Sequence, residues 1–279
     1  MSFPLHAGPF EKAVHIGTRV AAGLALVFLM APLLVIVPLS FNAESVLIFP
    51  IREWSLRWYE LVLSSAEWRE AAANTLFVAV CTASLSTVLG TLAALGLHRH
   101  DFRLRTLVVA ILLSPMIVPL IVTAISIYFF FALFGLIGTY RGLILAHMLV
   151  STPFVVITVL STLANYDTNL SRAAAGMGAG PLRIFFSVTL PLILPGVVTG
   201  ALFAFVTSLD EIVLTLFIAG PNQQTLPRAM WKTVRENITP EILAVACIIT
   251  LMSAFVLAAV EILRRRGLRQ RGLQHARRT

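Results

Sequence analysis

Six long apolar stretches constrain this sequence more than any other feature. A helix needs about 20 mostly apolar residues to cross the hydrocarbon of a bilayer, and helices suit lipid because they pair their own backbone groups. The chain is 58% hydrophobic and only 12% charged, with a mean hydropathy of +0.90, outside the range of ordinary soluble domains. We therefore predict an all-α polytopic membrane protein in which residues 1–279 form a single transmembrane domain. The six transmembrane helices are predicted at residues 17–41, 72–96, 106–132, 142–164, 192–219 and 240–263.

The positions of the basic residues predict the orientation of these helices. With an even number of spans both termini lie on one side, and that side carries most of the 21 Lys and Arg residues. They lie in the loop 98–105, in the segment 165–190 and in the Arg-rich tail 264–279. By the positive-inside rule we expect both termini to be cytoplasmic, with the tail against anionic membrane lipid. The net charge of +8 does not indicate nucleic-acid binding, because the basic residues are not interleaved with aromatic side chains.

The segment between the fourth and fifth predicted spans, residues 171–195, is too long and too apolar to be a plain turn. Its first part consists largely of Ala and Gly, which allows the backbone of another protein to approach closely. Its second part places four apolar side chains at helical spacing, namely Leu182, Phe185, Phe186 and Leu190. This pattern predicts a short helix along the membrane face, bent at Gly178 and Pro181. An interfacial helix without a partner is the alternative.

The same segment resembles a motif of the permease subunits of binding-protein-dependent ABC importers, Glu-Ala-Ala, three residues, Gly, nine residues, Ile, one residue, Leu-Pro. The matching residues are Ala173, Ala174, Gly178, Val188 in place of Ile, Leu190 and Pro191. The motif's Glu is replaced by Arg172. In that family this element is the cytoplasmic coupling helix that docks in a groove of the ATP-binding subunit. The resemblance therefore implies the docking role for residues 172–191, and residues 55–76 resemble the entry to the second span of such permeases.

The sequence contains no motif for binding ATP. The phosphate-binding pattern G-x-x-x-x-G-K-[ST] is absent, and no Gly-Lys pair occurs. His98 and His100 have no Cys or carboxylate at the spacing of a metal site, and no hydrolase motif frames a nucleophile. We expect no enzymatic activity and no cofactor or metal on this chain, with ATP and Mg²⁺ bound by a partner ATPase.

Two adjacent carboxylates, Asp210 and Glu211, stand in the apolar run FVTSLDEIVLTLF at residues 205–217. Ionised groups in hydrocarbon cost several kcal/mol and usually face a water-filled path or a partner charge. In one interpretation the helix breaks near Thr207, and Ser208 and Glu211 form a capping box for a new helix. In the other, the carboxylates line the translocation path and attract a cation. A broken helix at a transport site would satisfy both.

The wider stretch, residues 203–231, resembles the spermidine/putrescine subgroup of these permeases. The residues that match are Ser208, Asp210, Glu211, Gly220, Pro221, Thr225, Leu226 and Pro227. The resemblance makes Ser208, Asp210 and Glu211 candidates for a substrate path, and Phe205 and Trp231 could offer aromatic faces to a cation. Related importers of iron, thiamine, opines or other amine and amino-acid-like solutes have similar motifs, so these substrates stay open.

The resemblance implies a multi-pass subunit of the bacterial inner membrane that works by alternating access. Its expected partners are a second permease subunit, a dimer of ATP-binding subunits and an external substrate-binding protein. Two other classes of protein remain alternatives. One is an ion-coupled secondary carrier with Asp210 and Glu211 as cation sites, and the other is a membrane scaffold that recruits a cytoplasmic partner without transport.

Overall fold

The computed structural model describes residues 9–99, 103–236, 239–255 and 258. These residues are almost entirely helical, and an isolated antiparallel bridge joins Asn42 to Trp54. The predicted all-α class is therefore confirmed. The Arg-rich tail, which was expected to contact lipid, lies outside the described residues.

Most of the helices follow one another with short connections, and the longest connection in the described part of the chain, residues 40–56, joins the first two. In chain order they are α1 (Pro9–Leu39), α2 (Arg57–Ser64), α3 (Ala66–Arg99), α4 (Arg105–Leu113), α5 (Leu120–Ala132), α6 (Tyr140–Leu163), α7 (Thr168–Gly176), α8 (Pro181–Ile184), α9 (Leu190–Leu209), α10 (Val213–Ile218), α11 (Leu226–Glu236) and α12 (Pro240–Phe255). A π-helical turn, Phe185–Thr189, joins α8 to α9.

Four helices in the described part of the chain are long and apolar enough to cross a membrane. They are Val14–Leu39, Ala66–His98, Tyr140–Leu163 and Pro181–Leu209, and they overlap four of the predicted spans, although the last of them begins and ends about ten residues before the predicted 192–219. A fifth candidate is the bent pair formed by α4 and α5. The last prediction, 240–263, is represented by the shorter apolar helix α12 and extends beyond the described residues. The total of six spans thus remains a prediction.

The predicted span 106–132 is interrupted, which the apolar pattern alone did not indicate. Its two halves meet at an angle of 102°. The break contains Pro115, in a 3₁₀ turn, and Pro119, which immediately precedes α5. Each proline lacks an N–H for the helical ladder and disfavours helical geometry in the residue before it. Two prolines four residues apart therefore explain the bend.

The first of two compact units comprises, among the described residues, 9–64, 233–236 and 239–251. In it, the Trp58 indole N–H donates to the backbone oxygen of Asn42 at 2.7 Å, and the hydroxyls of Ser40 and Tyr59 are 2.7 Å apart. Burial raises the pKa of the Tyr59 phenol. These bonds attach the end of α1 to α2, whereas the most apolar part of α1 is entirely unburied within the chain.

The second unit comprises, in the described part of the chain, residues 65–99, 103–232, 252–255 and 258, and its centre is formed by α3, α6 and α9. One apolar cluster joins α3, α5, α6 and α10 around the fully buried Leu143, Leu214 and Ile218. Another joins α3, α6 and α9 around Val155 and Val159. Between them, these clusters hold α9 and α10 against α6.

Close packing of α6 on α9 depends on two glycines of α9. Gly196 lies against Thr158 and Thr162, and a Cβ at Gly200 would lie 2.6 Å from Thr158 Oγ1 and 2.9 Å from the Cα of Val155. Small residues let apolar helices approach to backbone contact where the lipid offers no hydrophobic drive between them.

We predict that Gly200→Ala destabilises the protein by about 1–3 kcal/mol, because its methyl group overlaps the backbone of α6 and forces the helices apart. The matched control is Gly96→Ala in α3, where a new Cβ would have no neighbour within 4 Å. Unfolding of both variants in detergent measures the difference. Equal stabilities would contradict the close packing of α6 and α9.

Candidate functional site

The run that contains the two carboxylates is a broken helix. Helix α9 ends at Leu209 and α10 begins at Val213, so residues 210–212 form a short non-helical corner. The Asp210 N–H still donates to the Val206 oxygen at 3.3 Å and closes the end of α9. The break was predicted, but it lies three residues later than the expected position near Thr207.

Glu211 caps the helix that follows the break. One of its carboxylate oxygens accepts the backbone N–H of Leu214 at 2.9 Å, and its own carbonyl accepts the Thr215 hydroxyl at 3.0 Å. The side chain is only 8% exposed. The predicted capping box, with Ser208 as N-cap and Glu211 at the third helical position, is wrong, because Ser208 still lies within α9. Glu211 itself precedes α10 and provides the cap.

His147 of α6 joins the two sides of the break. Its Nδ1 lies 2.8 Å from the hydroxyl of Ser208, near the end of α9, and its Nε2 lies 3.1 Å from the hydroxyl of Thr215 in α10. All three side chains are buried, at 1%, 3% and 0% exposure. The polar groups at the break therefore form a closed hydrogen-bonded cluster inside the apolar core, which we call the His147 cluster.

Asp210 differs from its neighbour, since its side chain is exposed. Successive residues point in different directions, so the corner turns Glu211 inward and Asp210 outward. Glu211 therefore has a structural role as a cap, and of the two residues only Asp210 presents its carboxylate at the surface of the chain. A role in a substrate path remains a prediction for both.

The loop after α10 is tied to the start of α3 and of α6. The Asn74 amide donates to the backbone oxygens of Asn222 and Gln224 at 3.2 and 3.0 Å, and the Tyr140 hydroxyl donates to Asn74 Oδ1 at 2.6 Å. The N–H of Leu226 donates to Thr75 at 2.7 Å. These bonds fix the Gly-Pro and Thr-Leu-Pro portions of the matched stretch.

Gly220, in the loop after α10, packs closely against Gly138, in the loop between α5 and α6, because a Cβ at Gly220 would lie 3.1 Å from the Cα of Gly138. The Arg228 guanidinium donates to the backbone oxygens of Ala219 and Gly220 at 3.0 and 2.8 Å, and burial lowers the pKa of this group. Lys232 forms an exposed ion pair with Glu67 at 3.1 Å. Gly220 and Arg228 therefore stabilise the loop that follows α10.

The candidate aromatic residues occupy different surroundings. Phe205 is partly buried against the cluster around Val159. Trp231 is 45% exposed on α11. Phe203, 49% exposed, stacks on Phe154 with ring centroids 6.0 Å apart. The expectation that Phe205 and Trp231 offer aromatic faces to a cation therefore remains a prediction.

The predicted docking segment consists of two helices and not one. Helix α7 ends at Gly176 in a Schellman arrangement, with Ala179 N–H bonded to the Ala174 oxygen and Gly178 N–H bonded to the Ala175 oxygen, at 3.1 and 2.9 Å. Gly178 has φ +83°, which favours glycine. The chain then restarts at Pro181.

The second half of this segment was expected to lie along the membrane face, but it is continuous with the long apolar helix Pro181–Leu209. The N-terminal part of that helix thus contains Val188, Leu190 and Pro191, and each of these residues is partly buried. In the first half, Arg172 and Ala173 are exposed, and Ala174 is buried. The bend at Gly178 and Pro181 is confirmed, whereas docking itself remains a prediction.

A cavity of about 310 Å³ lies behind α7 and α8. Its lining includes Leu95, His98, Tyr166, Arg172 and Ile184 and is largely apolar. The Tyr166 hydroxyl bonds to Ser171 at 2.5 Å and lies 3.3 Å from Thr189. These contacts connect α7 to the N-terminal part of the long helix Pro181–Leu209.

Among the described residues, no group of three or more His, Cys, Asp or Glu side chains could hold a metal ion. Sequence reasoning missed His147, although a histidine inside an apolar span is itself an indication of a functional or structural polar contact. Its partners are 61 and 68 residues away in sequence, and no local pattern points to them.

Residues 86–268 match the family model described as binding-protein-dependent transport system inner membrane component. This range includes the docking segment, the His147 cluster and the loop after α10. It covers more than half of the chain.

Two curated relatives are similar over most of their length. The chain is 36% identical over 233 residues to the putrescine transport system permease protein PotI of Escherichia coli strain K12. This match covers 81% of this chain and 83% of the relative. It is also 32% identical over 240 residues to the spermidine/putrescine transport system permease protein PotC of the same strain. This match covers 85% of this chain and 90% of the relative.

A solved structure shares the fold. It is a chain of the bacterial alginate ABC transporter in complex with an alginate pentasaccharide-bound periplasmic protein, with a TM-score of 0.72. The match covers 92% of this chain and 95% of that chain at 13% identity, and it therefore concerns the fold alone.

We predict that Glu211→Ala destabilises the protein by about 1–2 kcal/mol, because Leu214 loses its capping acceptor in an apolar environment. Glu211→Gln retains an oxygen for this N–H and should have a smaller effect. Asp210→Ala, at an exposed site, should change stability by less than about 0.5 kcal/mol. Unfolding of the three variants in detergent tests the assignment, and a larger loss at Asp210 than at Glu211 would reverse it.

Proposed function

This chain belongs to the family of inner membrane components of binding-protein-dependent transport systems, the permease subunits of ABC importers, and from that premise we propose that it carries polyamines such as putrescine and spermidine. The observation that carries the substrate class is Asp210, an exposed carboxylate at the break of an apolar helix. Two relatives that match over most of their length are named as putrescine and spermidine/putrescine permeases, and these names support the same class of substrate.

A carboxylate at this position favours cations over anions. In a region of low dielectric, opposite charges attract and like charges repel far more strongly than in bulk water. A linear polyamine carries separated positive charges along an apolar stem, so it can pair with one carboxylate at a time while its methylene groups contact apolar walls. Iron, thiamine and other amines are cations that the same argument admits, and they are the alternative substrates.

The energy for transport comes, in this proposal, from ATP and Mg²⁺ on a partner ATPase. The docking element is the Gly178 turn with the adjacent Arg172, Ala173 and Ala174. Because α8 continues through the π-helical turn into the helix that ends at the break, a displacement at the docking turn can reach Asp210 along one continuous helical segment. This continuity supports alternating access driven from the docking end.

The complete importer would contain a second permease subunit, two ATP-binding subunits and an external substrate-binding protein. The structural neighbour of the same fold was crystallised with a periplasmic protein. We place the docking turn and both termini on the cytoplasmic side, in agreement with the distribution of Lys and Arg.

The substrate class is tested by uptake of radiolabelled putrescine into cells that lack their own polyamine importers and that express this chain with its partner subunits. We expect saturable uptake that unlabelled spermidine reduces and that anionic sugars do not affect. Cells that accumulate iron or thiamine but not putrescine would overturn the polyamine assignment.

We predict that Asp210→Asn lowers uptake at subsaturating putrescine by about tenfold, the factor for losing roughly 1.4 kcal/mol of attraction to the cation. Glu211→Gln is the matched control next to it, and it should change uptake by less than about twofold, since the capping oxygen is retained. Both variants should assemble normally. Normal uptake by Asp210→Asn would remove this residue from the path.

We predict that Gly178→Val abolishes co-purification of the ATPase, because a β-branched residue cannot adopt φ +83° without strain and the turn between α7 and α8 is lost. Gly178→Asn, which tolerates this region of backbone conformation, should keep most of the binding. Membrane insertion should be unaffected in both variants. Equal co-purification with Gly178→Val and the wild type would argue against docking at this turn.

A further inference from the structure

Two segments on opposite sides of a helix break are bonded to one residue of a third helix. Ser208 precedes the corner 210–212, Thr215 follows it, and His147 of α6 bonds to both. The corner keeps helical bonds at its two ends, from the Asp210 N–H to the Val206 oxygen and from the Leu216 N–H to the Ile212 oxygen, and the His147 bonds add side-chain contacts that cross it. With His147 in place, α6 holds the end of α9 and the start of α10 at a fixed distance.

The hydrogen bonds run in one direction through the His147 cluster. Thr215 has a single hydroxyl proton, which it donates to the Glu211 carbonyl at 3.0 Å. It must therefore accept from His147, so Nε2 carries a proton. In a neutral imidazole, Nδ1 is then the acceptor for the Ser208 hydroxyl. The assignment follows from the network, and it uses both ring nitrogens.

The cluster ends at the residue next to Asp210. Glu211 is held at its carbonyl by Thr215 and at its carboxylate by the N–H of Leu214, so its backbone cannot rotate without breaking buried bonds. Asp210 lies between Leu209, the last residue of α9, and this immobilised Glu211. Its backbone, and with it the position of its Cβ, is consequently held on both sides, although the exposed carboxylate has no partner in the cluster.

We propose that His147 is a positioning residue for substrate, one that sets the location of the Asp210 carboxylate without contacting the transported cation. This inference rests on the proposed function. It adds that the affinity of the path for the cation depends on a buried residue of α6, and that it does so through Asp210.

The test compares transport by the full complex with and without the hydrogen bonds that His147 makes to Ser208 and Thr215. In His147→Phe the ring volume is retained and both hydrogen bonds are lost, and Ser208→Ala removes one bond from the opposite side. We expect the KM for putrescine to rise about tenfold in His147→Phe, with kcat changed by less than about twofold. Thr199→Ala is the control, because the Thr199 hydroxyl bonds only within α9, to the Pro195 oxygen at 2.7 Å.

A double-mutant comparison separates positioning from a general structural role. If His147 acts through Asp210, then His147→Phe should leave the KM unchanged in an Asp210→Asn background. Effects on KM that add fully in the double variant would overturn the proposal. So would an unchanged KM in His147→Phe with normal assembly.

A readout without substrate keeps the inference separate from the polyamine assignment. In a chain carrying Cys81→Ala and Cys247→Ala, the thiol introduced by Asp210→Cys is labelled with a membrane-impermeant cationic reagent. We expect His147→Phe to slow this labelling about fivefold, because the corner no longer holds the side chain outward. Equal labelling rates would refute positioning even if putrescine is transported, whereas slowed labelling without putrescine uptake would overturn only the substrate class.

Discussion

In an apolar environment every backbone and side-chain polar group needs a partner, and this requirement governs the broken helix at residues 210–212. The chain meets it locally at the corner. The Asp210 N–H closes α9, the Glu211 carboxylate caps α10, and His147 bonds to a hydroxyl on each side. Because these bonds are satisfied, a helix can be interrupted inside the protein and an exposed carboxylate can be placed at the interruption.

In the proposed function, the two adjacent carboxylates therefore have different roles. The buried Glu211 stabilises the break, and the exposed Asp210 gives the proposed path its sign of charge. The fold does not determine that sign, since the alginate transporter chain has the same fold at 13% identity although alginate is an acidic polysaccharide. Substrate charge belongs to the residues of the site, as expected when one fold carries several functions.

Apolar length predicted the helical class and four of the spans, because burial of backbone groups in lipid leaves few alternatives. The bend at Pro115 and Pro119 was also readable from the sequence, although the apolar pattern concealed it. The break was misplaced because Ser208 and Glu211 match a capping box locally, while a histidine 61 residues earlier bonds Ser208 and keeps it in α9. The motif around Gly178 predicted the bend of the docking segment, since a glycine with positive φ is required there. It did not predict that the following helix continues into the span.

The central claim is that this permease moves an organic cation with energy from a separate ATPase. The most direct measurement is putrescine accumulation by proteoliposomes that contain the complete purified complex and the loaded substrate-binding protein. We expect accumulation only when ATP and Mg²⁺ reach the ATPase, with no change when ionophores dissipate the proton gradient. Accumulation driven by the proton gradient without ATP would contradict it and would identify a secondary carrier.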